Sequence, residues 1–241
     1  MLFLARGWLV ATNLKRRESE MNLDRYLVGF GLVLVMACIA AASAGAVTPE
    51  VDGGGTFATA HAGASTMVMS GEPTFSCTTS VGQGKRISNT TAEGTLTMSG
   101  CEATILGVKV KCNSAGAPAG QIVVGGSISH LVYLDENHTK VGVLATPVAF
   151  SFICGGFSTI EVRGSVMGEV TTPKCGATST TATVVAEATG STQKYRQIEE
   201  TGTIYQLEAA TKGGEFKPAG TTWTVTGNSE TAGTLTCPEQ K

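Results

Sequence analysis

Charge is scarce in this 241-residue chain: Asp, Glu, Lys and Arg make up 15% of it, against roughly 25% in an ordinary globular protein. The 17 Lys+Arg and 19 Asp+Glu leave a formal net charge of −2. No positive excess is available to offset a phosphate backbone, so a broadly basic nucleic-acid binder is excluded. Low net charge beside 42% apolar residues also excludes global disorder, which needs the opposite balance. Aromatics reach only 6% and there are three histidines. No CxxC pair is present, nor a Cys beside a His at finger spacing, which removes the usual zinc and iron–sulfur frameworks. A G-x-S-x-G elbow, a P-loop, a dinucleotide fingerprint and an H-E-x-x-H helix are missing as well. No cofactor or metal is expected.

Abundance lies elsewhere, in 31 Gly, 7 Cys and many Thr and Val. The apolar run Leu27–Ala42 follows Arg25 and, further back, Lys15, Arg16 and Arg17, and small residues come after it. That is the order of a secretory signal peptide, with cleavage expected after Ala44 or Ala46. The run is shorter than the roughly 20 residues needed to span a bilayer, so no membrane span is expected in the mature form. Met21 begins a more conventional signal sequence and is an alternative start. Cys38, in VMAC, is a loose lipoprotein-box cysteine, which leaves lipid anchoring as the lesser alternative to a secreted or cell-surface protein. Removing residues 1–44 leaves a flexible entry segment at 45–55 and a single domain at 56–241.

The mature chain keeps Cys77, Cys101, Cys112, Cys154, Cys175 and Cys237. An even number in an exported chain predicts three disulfides. Connectivity is not encoded in spacing alone, but short loops favour Cys101–Cys112 and Cys154–Cys175, which leaves Cys77–Cys237 across the ends.

Most of the remaining chain alternates with a period of two. In TILGVKVKC, Leu106, Val108, Val110 and Cys112 point one way and Lys109 and Lys111 the other. Val148, Phe150, Phe152 and Cys154 share a face in TPVAFSFIC, and Ile160, Val162, Gly164 and Val166 share one in TIEVRGSVM. Trp223 and Val225 pair in TTWTVTG. Such alternation marks half-buried strands, and further short strands are divided by glycine-containing breaks such as VGQG at 81–84 and GAPAG at 116–120. No helical stripe interrupts them. The expected fold is all-β, an antiparallel β-sandwich or its barrel-like variant, stabilised by disulfides.

Candidate chemistry is thin. His130 with Ser129, and His138 with Asp135 and Glu136, read first as the polar surroundings of a hairpin between LVYL and VGVL. Adjacent residues on a strand face opposite ways, which disfavours a metal cluster there. Glu161, Glu169 and Glu187 offer carboxylates for glycoside hydrolysis, but no spacing selects a pair. Phe150, Phe152 and Phe157 read as core. Trp223, Tyr205 and Tyr133 are the candidate ligand contacts, since each joins an apolar ring to a polar handle. Asn89-Thr90-Thr91 and Asn137-His138-Thr139 match the glycosylation acceptor pattern and predict surface loops.

FSC at Phe75–Cys77, SGC at Ser99–Cys101 with the following Cys112, VGVLATPVAF at Val141–Phe150 and VRGSVMGEV at Val162–Val170 resemble a group of secreted Gly/Thr/Val-rich β proteins of high-GC actinobacteria. The resemblance covers most of residues 70–237 and implies export and a cell-envelope setting. The group carries no assigned catalytic residues to transfer. The expectation is therefore a secreted cell-envelope structural or adhesive protein that is not an enzyme. An extracellular glycan-binding module is the first alternative and a secreted hydrolase the second. Expected partners are cell-wall or extracellular glycans, or the protein itself through strand edges.

Overall fold

Antiparallel pairing accounts for nearly every element of the computed structural model, which describes residues 48–55, 57–198 and 201–238. The signal-peptide and Cys38 readings lie outside the described residues. In chain order the strands are β1 (Glu50–Gly53), β2 (Phe57–Ala62), β3 (Ser65–Met69), β4 (Phe75–Cys77), β5 (Thr79–Arg86), β6 (Thr91–Ser99), β7 (Glu102–Ile105), β8 (Val108–Asn113) and β9 (Gln121–Tyr133). They continue with β10 (Val141–Cys154), β11 (Ser158–Thr172), β12 (Thr178–Ala186), four two-residue strands β13–β16 between Ala188 and Ile204, β17 (Leu207–Thr211) and β18 (Lys217–Thr236). Thr and Val dominate because Cβ branching suits a pleated surface. The all-β antiparallel class is as the alternation predicted.

Fourteen strands form one sheet that closes on itself twice. One ring runs β2–β5–β6–β9–β10–β11–β12–β18 and back to β2. The second runs β3–β4–β7–β8–β10–β11–β17–β18 and back to β3. The long strands β10, β11 and β18 belong to both, their two halves taking different partners. Glu50–Gly53, expected in a flexible entry segment, is instead a strand paired with Thr236–Gly233 of β18. Among the described residues no helix is long and apolar enough to cross a membrane.

The main core follows the inward faces. Phe75, Ile122, Val148, Phe152, Ile160 and Val162 are buried together with Cys77, Cys101, Cys112 and Cys154, and the Phe75 and Phe152 rings pack at a tilt with centroids 4.8 Å apart. A smaller cluster on the outer side joins Val132, Leu134, Leu144, Met167 and Ile198 to Tyr195 and Tyr205. There residues 187–198 and 201–206 cover the stretch of β11 between its β17 and β12 pairings. Gln193 is buried and its Nε2 donates to the Ser165 carbonyl at 3.0 Å. The Tyr195 hydroxyl donates to Glu169 at 2.6 Å. Burial, and then that carboxylate, push the Tyr195 hydroxyl's pKa up to about 12. Gly164 is obligatory beside this cover: its φ is +110°, and a Cβ would lie 2.0 Å from the Gln206 carbonyl oxygen.

All six cysteines pair, but as Cys77–Cys101, Cys112–Cys154 and Cys175–Cys237. The expected Cys101–Cys112, Cys154–Cys175 and Cys77–Cys237 pairs are overturned. Cys112 N donates to the Cys101 carbonyl at 3.0 Å, so those two backbones are indeed neighbours. The Cys112 side chain nevertheless turns to its registered partner on β10, Cys154. Cys154 and Cys175 lie beyond opposite ends of the fifteen-residue β11, a separation of about 45 Å at roughly 3.3 Å per residue. Spacing along the chain therefore misjudged distance wherever a strand was long.

Two apolar assignments also change. Leu106 does not continue the face of Val110 and Cys112; Leu106 (φ 49°) and Gly107 (φ 80°) form the two-residue turn between β7 and β8. Both residues sit at positive φ, as a type I′ hairpin requires, and Leu106 is 99% exposed. Phe157 is 70% exposed at the tip of the β10–β11 hairpin rather than in the core.

Candidate functional site: a lumen lined by small residues

The eight strands of the first ring point unusually small residues inward. On β2 these are Ala58, Ala60 and Ala62, with Thr59 and His61 facing out. β5 contributes Ser80, Gly82 and Gly84, and β6 contributes Ala92 and Gly94. Gly84 and Gly94 are direct cross-strand partners, so neither side of that pair carries a side chain. A Cβ on Gly82 would lie 3.0 Å from the Thr95 carbonyl oxygen, and one on Gly94 would lie 3.1 Å from that of Gln83. Glycine here permits close backbone approach and a tight bend of the sheet.

An eight-stranded closed sheet is just wide enough for ordinary side chains to fill or for one small ligand. With Ala and Gly on three adjacent strands, the interior stays open. A cavity of about 340 Å³ is bounded by these residues and by Met67, Phe75, Leu96, Phe150, Val166 and Trp223. A second, of about 300 Å³, continues toward the end of the ring near β1. Ala58, Gly84, Ala92 and Ser129 line both. Each falls in the size range of small-molecule sites, which are concave and mostly apolar with few polar groups.

The inner compartment has polar lining too, with Thr66, Gln83, Glu93, Thr95 and Thr221 bordering it. Ser65, Ser80 and Ser129 line it, as does Ser127, whose buried hydroxyl has no hydrogen-bond partner among the described residues. The outer compartment ends in hydroxyls and amides from Ser88, Asn89, Thr180, Asn228 and Ser229. Arg86 stands at this mouth, its Nη1 donating to the carbonyls of Val51 (3.3 Å) and Gly53.

The candidate ligand aromatics do not converge. Trp223 is half-buried, packs on the main core and lines the inner compartment. Tyr205 belongs to the outer cluster with Met167, Ile198 and Tyr195. Tyr133 is only 1% exposed, its ring stacked on His138 at 4.1 Å and its hydroxyl donating to the Pro238 carbonyl at 3.1 Å. A residue so enclosed offers no face to a sugar, so Tyr133 is not placed to serve as the ligand contact its ring and hydroxyl suggested.

The acidic candidates are equally dispersed. Glu169 accepts from Tyr195, Glu187 pairs with Lys194, and neither they nor Glu161 lines the lumen. Asp135 closes its hairpin loop, accepting from Thr139 N and Lys140 N at 2.9 Å each and from the Thr139 hydroxyl. Burial raises its pKa, but these donors outweigh it and hold the carboxyl below its ordinary value. Among the described residues no group of three or more His, Cys, Asp or Glu could hold a metal ion. Asn89 and Asn137 do lie on exposed loops.

In the sequence, Gly82 and Gly84 within VGQG have the look of a turn signal, which hides the lumen. The available signal was an alternation of small with polar residues, in FATAHA at 57–62, VGQGKR at 81–86 and AEGTL at 92–96. No protein family matches the chain, and no curated protein or solved structure does either.

Proposed function

We propose that this is a non-catalytic binding protein, acting outside the cytoplasm, that encloses an apolar small molecule in the lumen of its first ring. The observation that carries the reading is the row of inward Ala and Gly residues on β2, β5 and β6 that leaves the 340 Å³ apolar cavity open. An unfilled apolar void of this size costs stability, and bound ligand removes that cost. The signal-like N-terminal segment and the three disulfides support an extracytoplasmic setting.

A glycan platform draws no support from Trp223, Tyr205 and Tyr133, which share no surface. A structural or adhesive role in the envelope is the second reading, favoured by the cross-linking of the second ring through Cys77–Cys101 and Cys112–Cys154. Edge-to-edge self-association is a weak route for it, since every strand of both rings has neighbours on either side.

The test is titration with the apolar fluorophore N-phenyl-naphthylamine. Saturable one-to-one binding is expected, lost when Ala92→Phe fills the lumen of a still-folded protein. Absence of saturable binding, or binding indifferent to Ala92→Phe, refutes the reading.

A further inference from the structure

We propose that the lumen's ligand is a single-chain anionic amphiphile, bound with its head at the Arg86 mouth and its chain running inward past Ser129 toward Trp223. The inference rests on the reading of the lumen as a ligand site and adds the class and direction of the ligand. Three observations carry it.

The first is shape. The lining follows β5 from Ser80 in the inner compartment to Arg86 in the outer one. That is about 20 Å along the strand at roughly 3.3 Å per residue. A bulky polycyclic molecule would fill one compartment, whereas an extended chain suits two compartments that adjoin at Ala58, Gly84, Ala92 and Ser129.

The second is the side chains that distinguish the two ends. The inner end is walled by Met67, Phe75, Met98, Phe150 and Trp223, and the flexible methionines there can adjust to an acyl chain. The outer end carries the hydroxyls and amides of Ser88, Asn89, Thr180 and Asn228.

The third is charge. Arg86 lies on the inward register of β5 with Ser80, Gly82 and Gly84 and lines the outer compartment, whose lining includes no Asp or Glu; Lys85, on the opposite pleat, is exposed and registered with Glu93. The two backbone carbonyls that accept from Arg86 Nη1 hold the guanidinium in place without neutralising it. Asp52, between those two carbonyls, is turned to Asn89 and Thr236 rather than to Arg86, so a carboxylate or phosphate head can pair with the guanidinium. Turning the ligand round would bury its charge among aromatic and thioether groups, which is strongly unfavourable.

The test uses the Trp8→Phe chain, in which Trp223 is the sole tryptophan. A long-chain fatty acid, the alkyl phosphate of the same chain and the corresponding fatty alcohol are titrated below their aggregation limits. The anions are expected to bind about tenfold more tightly than the alcohol, as one charged hydrogen bond provides. A preference for one anion over the other then identifies the head. Arg86→Gln should reduce both anions to the affinity of the alcohol, and Arg86→Lys should retain part of the difference. Fatty acids dibrominated near the methyl end should quench Trp223 more than those dibrominated near the carboxylate. Equal affinity for acid and alcohol overturns the anionic class, and the reverse quenching order overturns the direction. In either case saturable naphthylamine binding still stands for the lumen; loss of all binding would instead refute the proposed function itself.

Discussion

Replacing Ala60 by Leu separates an open lumen from a well-packed interior, because the two give opposite signs. Ala60 faces inward on β2, and its direct cross-strand neighbours are Gly82 on β5 and Gly227 on β18. A larger side chain therefore meets no Cβ on either side and extends into the 340 Å³ cavity. Leucine adds three carbon atoms. At about 0.8 kcal/mol for each methylene-sized group removed from water, they contribute about 2 kcal/mol. For a domain of this length, about 2–4 °C per kcal/mol gives a rise in Tm of about 4–8 °C in the unliganded protein. In a filled core the same change forces side chains off their rotamers and costs about 1–3 kcal/mol. Ala219, buried in the main cluster, is the matched control, and Ala219→Leu should destabilise by that amount. Both variants are measured by thermal unfolding, and ligand binding by titration against Trp223 fluorescence. Ala60→Leu should gain stability and lose ligand together. A destabilised Ala60→Leu protein that still binds would show that the void is not where the ligand sits.

Three further outcomes are expected. A non-reduced proteolytic map should return Cys77–Cys101, Cys112–Cys154 and Cys175–Cys237, and the Cys112→Ala/Cys154→Ala protein should lose about 4 kcal/mol in denaturant unfolding, from closure of the 42-residue separation; recovery of a Cys101–Cys112 peptide would contradict the register of β8 on β10. Ser127→Ala, which removes a buried hydroxyl without a partner, should raise stability by about 1 kcal/mol, and a loss would mean that the hydroxyl is bonded. Asp135→Asn should destabilise near neutral pH. Because the folded pKa of Asp135 lies below its ordinary 3.8, its contribution is full above that value and fades as pH falls through the folded one. Parallel stability curves for the two proteins from neutral to acidic pH would refute it.

The parts of this fold legible in the sequence were those that depend on a strand's own alternation. Val148, Phe150, Phe152 and Cys154 share the inward face of β10 as their spacing predicts, and Ile160, Val162 and Val166 do so on β11. Whatever depended on which strand lies beside which was not legible. Alternation specifies a face but not a neighbour, so the disulfide partners could not be chosen by proximity along the chain. The Leu106 error has a local cause: a two-residue turn preserves the period-two pattern across it, and TILGVKVKC reads as one strand though it is a hairpin. The lumen was hidden for a related reason. Glycine both breaks strands and thins their inward faces, and only the closure of the ring shows which role Gly82, Gly84 and Gly94 play.

Closure also connects the small residues to the cysteines. Large inward side chains normally hold a sheet in shape, and the first ring has given up many of them along β2, β5 and β6. Its shape must then be imposed from outside the lumen. The strands β10, β11 and β18 do this by continuing into the second ring, whose core holds Phe75, Phe152 and both cross-links, Cys77–Cys101 and Cys112–Cys154. Cys175–Cys237 ties the loop after β11 to the chain beyond β18 at the far end. A domain of this size can bury enough surface to fold without disulfides, so two cross-links in the second ring and one beyond the ends of β11 and β18 are better explained by the need to brace an emptied first ring than by a shortage of core.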